Sequence, residues 1–157
     1  MEKLNQLKAY GEGLDYLFAE LYEKLVQSLL LKKSQLPTYP GIYVFYENGL
    51  PIYVGRANNI RRRIQWHTRA SSGSESASFA FNLAKMEYGT NNEINKRRKE
   101  LMQIEEFLEI FKRHKVNLSN LDFRCIYLEN DILQTMFEPY VALKLGTYPV
   151  NNTFENH

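Results

Sequence analysis

Two tyrosines, an arginine and a histidine fall within 25 residues of one another: Tyr43, Tyr53, Arg63 and His67. Arg63 and His67 come ten and fourteen residues after Tyr53, and Arg56 stands just behind it. The chemistry that such groups share is cleavage of a phosphodiester. That reaction needs an activated water, neutralised charge on the phosphoryl oxygens and help for the departing alkoxide. Tyr43 is a candidate general base, although a phenol of pKa about 10 needs cationic neighbours or a metal-bound water to act at neutral pH. Arg56 and Arg63 could supply those cations. The planar fork of Arg63 also suits a phosphate, since it donates two hydrogen bonds at once. His67 could donate or accept a proton near physiological pH, or hydrogen-bond Tyr43 or the nucleophile. Singly these residues say little, because a strand tyrosine usually packs and a helix histidine is usually a surface or satisfied group. The combination carries the signal.

The elements that would position them are short. Ile42 to Tyr46 and Pro51 to Val54 read as strands, and Glu47-Asn48-Gly49 between them is a hairpin signal. Asn58 or Asn59 can cap a helix in which Ile60, Ile64 and His67 share one face and Arg63 lies one turn before His67. Residues 3 to 34 read as helical from the recurrence of Leu4, Leu7, Leu14, Leu17, Leu21, Leu25 and Leu29, weakened by Gly11 and Gly13 so that two shorter helices would also fit. After the polar loop 70–76, a helix is expected through Phe79, Phe81 and Leu83. A second runs over 93–115, with an apolar stripe of Ile94, Leu101, Ile104, Leu108 and Phe111. Leu121 to Leu128 should be a third strand. Residues 131 to 145 read as a helix whose start is drawn towards Glu138 by Pro139, which fits a first turn better than an interior.

At 157 residues and 44% apolar content the chain can bury a core without a metal or disulfide staple. The single Cys125, in an alternating stretch, reads as a small buried thiol. No apolar run approaches the ~18 residues of a transmembrane helix, and Met1-Glu2-Lys3 does not open a signal peptide, so a cytoplasmic protein is expected. The net charge of +2 conceals a division. Residues 51 to 70 hold Arg56, Arg61, Arg62, Arg63 and Arg69 and no acid, while the remainder is net acidic. Positive charge beside the tyrosines can attract a polyanion.

Glu138 is an acid in an otherwise apolar helical stretch. Buried acids are normally paired or bound to a cation; a carboxylate at a helix N-terminus, favoured by the dipole, is the alternative. The residues alone leave both open. One carboxylate with waters and a substrate phosphate would suit Mg²⁺.

Gly41-Ile42-Tyr43 and Tyr53-Val54-Gly55, followed by Arg63 and His67, resemble the GIY-YIG nuclease family. The resemblance implies that Glu138 is the one protein ligand to a divalent metal, Mg²⁺ or Mn²⁺. It also implies catalytic roles for Tyr43, Tyr53, Arg63 and His67. Asn151, in Pro149-Val150-Asn151-Asn152, matches the family asparagine, with Asn152 as second choice, and Arg56 falls where a lysine is common. Residues 40 to 68 carry the specific half of the likeness; 121 to 152 rest on order and spacing. The connection 69–120 is long for the family, and the first 34 residues are an addition to its core.

The expectation is an α+β fold: a small three-stranded antiparallel sheet flanked by helices. A helical extension over 1–36 would pack on a nuclease-like domain over 37–157, with a helical insertion at about 70–118. The expected activity is metal-dependent hydrolysis of DNA phosphodiester bonds, with Arg56, Arg61, Arg62 and Arg69 holding the nucleic acid. A nucleic-acid-binding or adaptor module without turnover is the alternative, and an RNA-directed nuclease a third. No zinc-finger or helix-turn-helix pattern is visible, so target choice would rest with the insertion, the N-terminal helix or a partner. That helix could also join two copies of the chain.

Overall fold

Asn48 and Gly49 both take positive φ, 51° and 79°, and reverse the chain between two strands. This two-residue turn is the kind whose twist matches that of the strands it joins. The strands are β1, Gly41–Glu47, and β2, Leu50–Ala57. In the computed structural model, which describes residues 8, 9 and 11–154, a third strand, β3, Asp122–Tyr127, pairs with the other edge of β1. The sheet is antiparallel in the order β2-β1-β3. Its register sets Tyr43 opposite Gly55 on one side and Cys125 on the other.

The helices are α1 Leu14–Gln27, α2 Ile60–Thr68, α3 Ser78–Tyr88, α4 Arg98–Leu101, α5 Glu105–Ser119 and α6 Asp131–Leu145. Because side chains alternate along a strand, β1 feeds two cores. Tyr43 and Phe45 join Ile60, Ile64, Phe79, Phe107 and Phe123 under α2, α3 and α5. Ile42, Val44 and Tyr46 join Phe18, Leu25, Phe137 and Val141 under α1 and α6. The sheet therefore lies between two helical layers. Burying each of these large side chains contributes about 2–3 kcal/mol, so α1 and the helices between α2 and β3 are structural members of the fold.

Three expectations are corrected. The helix predicted over 3–34 ends at Gln27, where the Ser28 hydroxyl donates to Leu25 O at 2.7 Å and the backbone turns extended. Leu31 instead pairs with Phe123 through two backbone bonds of 2.8 and 2.9 Å, and a 3₁₀ turn follows at Lys33–Gln35. Leu4 and Leu7 lie outside the described residues; Leu14, Leu17, Leu21 and Leu25 face the core rather than a partner.

The helix predicted over 93–115 is divided into α4 and α5 and reaches Ser119. Local start signals outweigh the periodicity. The Glu100 carboxylate accepts from Arg97 N–H to begin α4, and Glu105 and Glu106 place negative charge on the first turn of α5.

Finally, α6 begins at Asp131, not near Glu138. The Asn130 side chain caps it, accepting from the backbone N–H of Ile132 and Leu133 at 3.0 Å each. Pro139 sits in its interior, where burial of Phe137, Val141 and Ala142 offsets the missing backbone bond. Glu138 is consequently a mid-helix residue, which removes the helix-terminus explanation for its carboxylate.

Candidate active site

Tyr43 is 1% exposed, and its phenol shares a hydrogen bond with His67 Nε2 at 2.9 Å. The space for that ring exists because its cross-strand neighbour has no side chain. A β-carbon on Gly55 would lie 2.3 Å from the Tyr43 Cζ and hydroxyl oxygen. Gly41, at the start of β1, is fixed in the same way, since a β-carbon there would meet Ile126 O at 1.8 Å. Both motif glycines are thus steric requirements of the sheet.

Burial pushes the Tyr43 phenol well above its ordinary pKa; Tyr53 and Glu138 add to the rise and Arg63 opposes it. Arg63 anchors through an Nη1 donation to Ser76 O at 2.9 Å. Tyr53 stacks on Phe79, with ring centroids 4.2 Å apart and planes 15° from parallel. Burial, reinforced by the Glu138 charge and opposed by Arg63, raises its pKa to about 12. In this environment both tyrosines are neutral phenols at neutral pH.

Of the roles expected for His67, the hydrogen bond to Tyr43 is the one the geometry has. His67 is fully buried, and burial together with the Arg63 charge lowers its pKa to about 3. It is uncharged near physiological pH and meets the Tyr43 phenol as a neutral imidazole. Its Nδ1 has no protein partner among the described residues.

Glu138 reaches this cluster from α6, on the other face of the sheet. Its side chain is 18% exposed, and Oε2 accepts from Arg56 Nε at 3.2 Å. Burial raises the carboxyl pKa, while Arg56 and then Arg63 pull it back. Arg56 therefore serves Glu138, and Arg63 is the cation that acts on Tyr43.

No protein-family model matches the chain. Among characterised proteins, it is 51% identical over 39 residues to UvrABC system protein C of Deinococcus radiodurans, covering 25% of this chain and 6% of that protein. It is 36% identical over 66 residues to the Streptococcus gordonii protein of the same name, covering 41% of this chain and 10% of that one. The chain thus spans a small part of the length of these relatives. Among solved structures, the GIY-YIG N-terminal endonuclease domain of UvrC from Thermotoga maritima, bound to its catalytic divalent cation, matches with a TM-score of 0.38 and 20% identity, over 78% of this chain and 91% of that one. A second form of that domain matches with a TM-score of 0.38 and 18% identity, again over 78% and 91%.

Around this centre the remaining sequence candidates take distinct places. Asn152 is 3% exposed and clamps β2 at two points, accepting from Val54 N–H at 2.9 Å and donating to Val54 O at 2.8 Å. Asn151, the first choice from sequence, donates to Ile52 O at 2.8 Å. Both brace the strand that carries Tyr53. The flanking arginines are partly committed: Arg61 Nε donates to Leu36 O at 2.7 Å, and the Arg62 guanidinium lies 4.7 Å over the Trp66 ring. Arg61, Arg62 and Arg69 are exposed.

Sequence reasoning missed Phe79 and Ser76 as site residues. Both follow α2 in the chain, and nothing local in the sequence marks a stacking ring or an anchoring carbonyl.

No group of three or more histidine, cysteine or acidic side chains is placed to hold a metal among the described residues. The donor set that remains is one partly desolvated carboxylate whose Oε1 has no hydrogen-bond partner among those residues. That fits a hard divalent cation which retains most of its water.

Proposed function

We propose that this chain is a metal-dependent endonuclease that hydrolyses DNA phosphodiester bonds at the Tyr43–Arg63–Glu138 cluster. The observation that carries the reading is the position of Glu138. A mid-helix carboxylate, desolvated and only partly neutralised, is brought beside the buried Tyr43, the half-buried Tyr53 and an arginine. The sequence match to UvrABC system protein C supports it.

Glu138 would hold Mg²⁺ or Mn²⁺, which polarises water and the departing oxygen when bound. Arg63 neutralises the phosphoryl oxygens. Tyr43 would activate water in its ionised form, which the Arg63 charge and a cation held by Glu138 would favour against burial. His67, being neutral, orients the phenol through Nε2. Tyr53 and Phe79 wall the site, and Asn151 and Asn152 hold β2 in register. Exposed Arg61, Arg62 and Arg69 would attract the DNA backbone.

The Arg56–Glu138 ion pair favours a second reading, a nucleic-acid-binding module whose carboxylate is kept by Arg56. Supercoiled plasmid separates the two. An endonuclease converts it to open circles with Mg²⁺ or Mn²⁺ and stops when EDTA is added, whereas a binding module retards it without nicking. RNA competing equally with DNA for cleavage would overturn the choice of substrate.

A further inference from the structure

Beside the cluster, the insertion forms two adjoining clefts that the phosphodiester chemistry does not use. One, of about 240 Å³, has apolar walls from Phe79, Met86, Ile94 and Val150, with the Asn82 and Asn151 amides at hand. Met86, Ile94 and Val150 are 53%, 37% and 62% exposed, a concentration of apolar surface next to a polar centre. The other, of about 360 Å³, is lined by Lys85, Lys96 and Arg98. Asn82, Lys85 and Thr153 line both, so the two are continuous. No carboxylate lines either cleft among the described residues. Arg98 is partly compensated by Glu75 at 3.5 Å, which leaves Lys85 and Lys96 as the less committed cations.

The connection to the active site is direct. Phe79 forms a wall of the apolar cleft and stacks on Tyr53, while Asn151 lines it and bonds to the strand that carries Tyr53. An apolar slot with amide groups suits the faces and edges of a nucleobase, and paired lysines suit a phosphate. A protein loop without acidic side chains would satisfy the slot but not the lysines.

We propose that the insertion binds one unpaired nucleotide next to the scissile phosphate, with the base between Met86, Ile94 and Val150 and its phosphate on Lys85 and Lys96. The inference rests on the nuclease reading and deepens it: the preferred substrate is DNA with an unstacked base beside the cut.

Fluorescence anisotropy in EDTA tests it with three labelled DNAs of one sequence: a paired duplex, the same duplex with one bulged nucleotide, and the bulge replaced by an abasic spacer. The bulged DNA should bind about 10-fold tighter than the other two. The Met86→Ala/Ile94→Ala double variant should lose that preference while keeping its affinity for the paired duplex. Lys85→Ala/Lys96→Ala should weaken bulged DNA and flatten the dependence of log Kd on log salt by up to about 1.8. Wild-type thermal unfolding in both variants confirms that they fold. Equal binding of the bulge and the abasic spacer overturns the proposal, as does retained preference in the first variant or no binding of any DNA. Preference without plasmid nicking would remove the nuclease reading alone; nicking without preference would remove the pocket alone.

Discussion

The phenol of Tyr43 lies over the α-carbon of Gly55, its partner across β1 and β2, at a separation that leaves no room for a β-carbon. The first and second motifs are therefore joined by one steric fit. Gly55→Ala must displace the Tyr43 ring or the strand, at about 1–3 kcal/mol. Chemical denaturation should show that loss, while Gly73→Ala, with open space around it, stays near wild type.

His67 makes stability depend on acid. Its folded pKa of about 3 lies below the unfolded value of about 6.5. Between those values the unfolded chain binds a proton that the folded chain does not. The contribution is complete above pH 6.5 and is lost as pH falls towards 3, with a magnitude on the order of a few kcal/mol. Urea midpoints measured from pH 7 to pH 4 should fall, and His67→Gln should flatten that slope.

Asn152 and Asn151 separate in stability. Truncating Asn152 leaves the buried N–H and C=O of Val54 without partners, at about 1–3 kcal/mol. Asn151→Ala removes a single, more exposed bond and should cost less. Thermal unfolding of the two variants ranks them.

Arg63 acts by geometry as well as charge. It donates to Ser76 O while facing Tyr43. On the nuclease reading, Arg63→Lys keeps the charge but loses the fork, so cleavage should fall about 10²–10³-fold with little change in folding. Nicking rates and melting curves together check this.

Much of this was legible in the residues. The Asn-Gly turn, the three strands, the capped helix bearing Arg63 and His67, and the buried Cys125 all follow from local rules, and each is found. What local rules could not supply were the consequences of packing. The neutrality of His67 comes from complete burial under a sheet that forms at a distance in sequence. Proline reasoning drew the start of α6 towards Glu138, whereas the Asn130 cap and the buried face of the helix set it at Asp131. Arg56 was read as a neighbour of Tyr43, but only the crossing of α6 over β2 brings it to Glu138. The leucine stripe holds from Leu14 to Leu25, but Leu29 falls beyond the helix end and is exposed, and Leu31 meets Phe123, a pairing 92 residues away that no local pattern announces.

On the nuclease reading, Glu138 is the residue that makes this cluster a metal-dependent phosphodiester hydrolase. The most direct test is the rate of plasmid nicking against Mg²⁺ concentration for the wild type and Glu138→Ala, with DNA binding followed in parallel. The wild type should nick with saturable Mg²⁺ dependence, and the variant should bind DNA without nicking it at any Mg²⁺ concentration. Nicking by Glu138→Ala at the wild-type rate would contradict that reading.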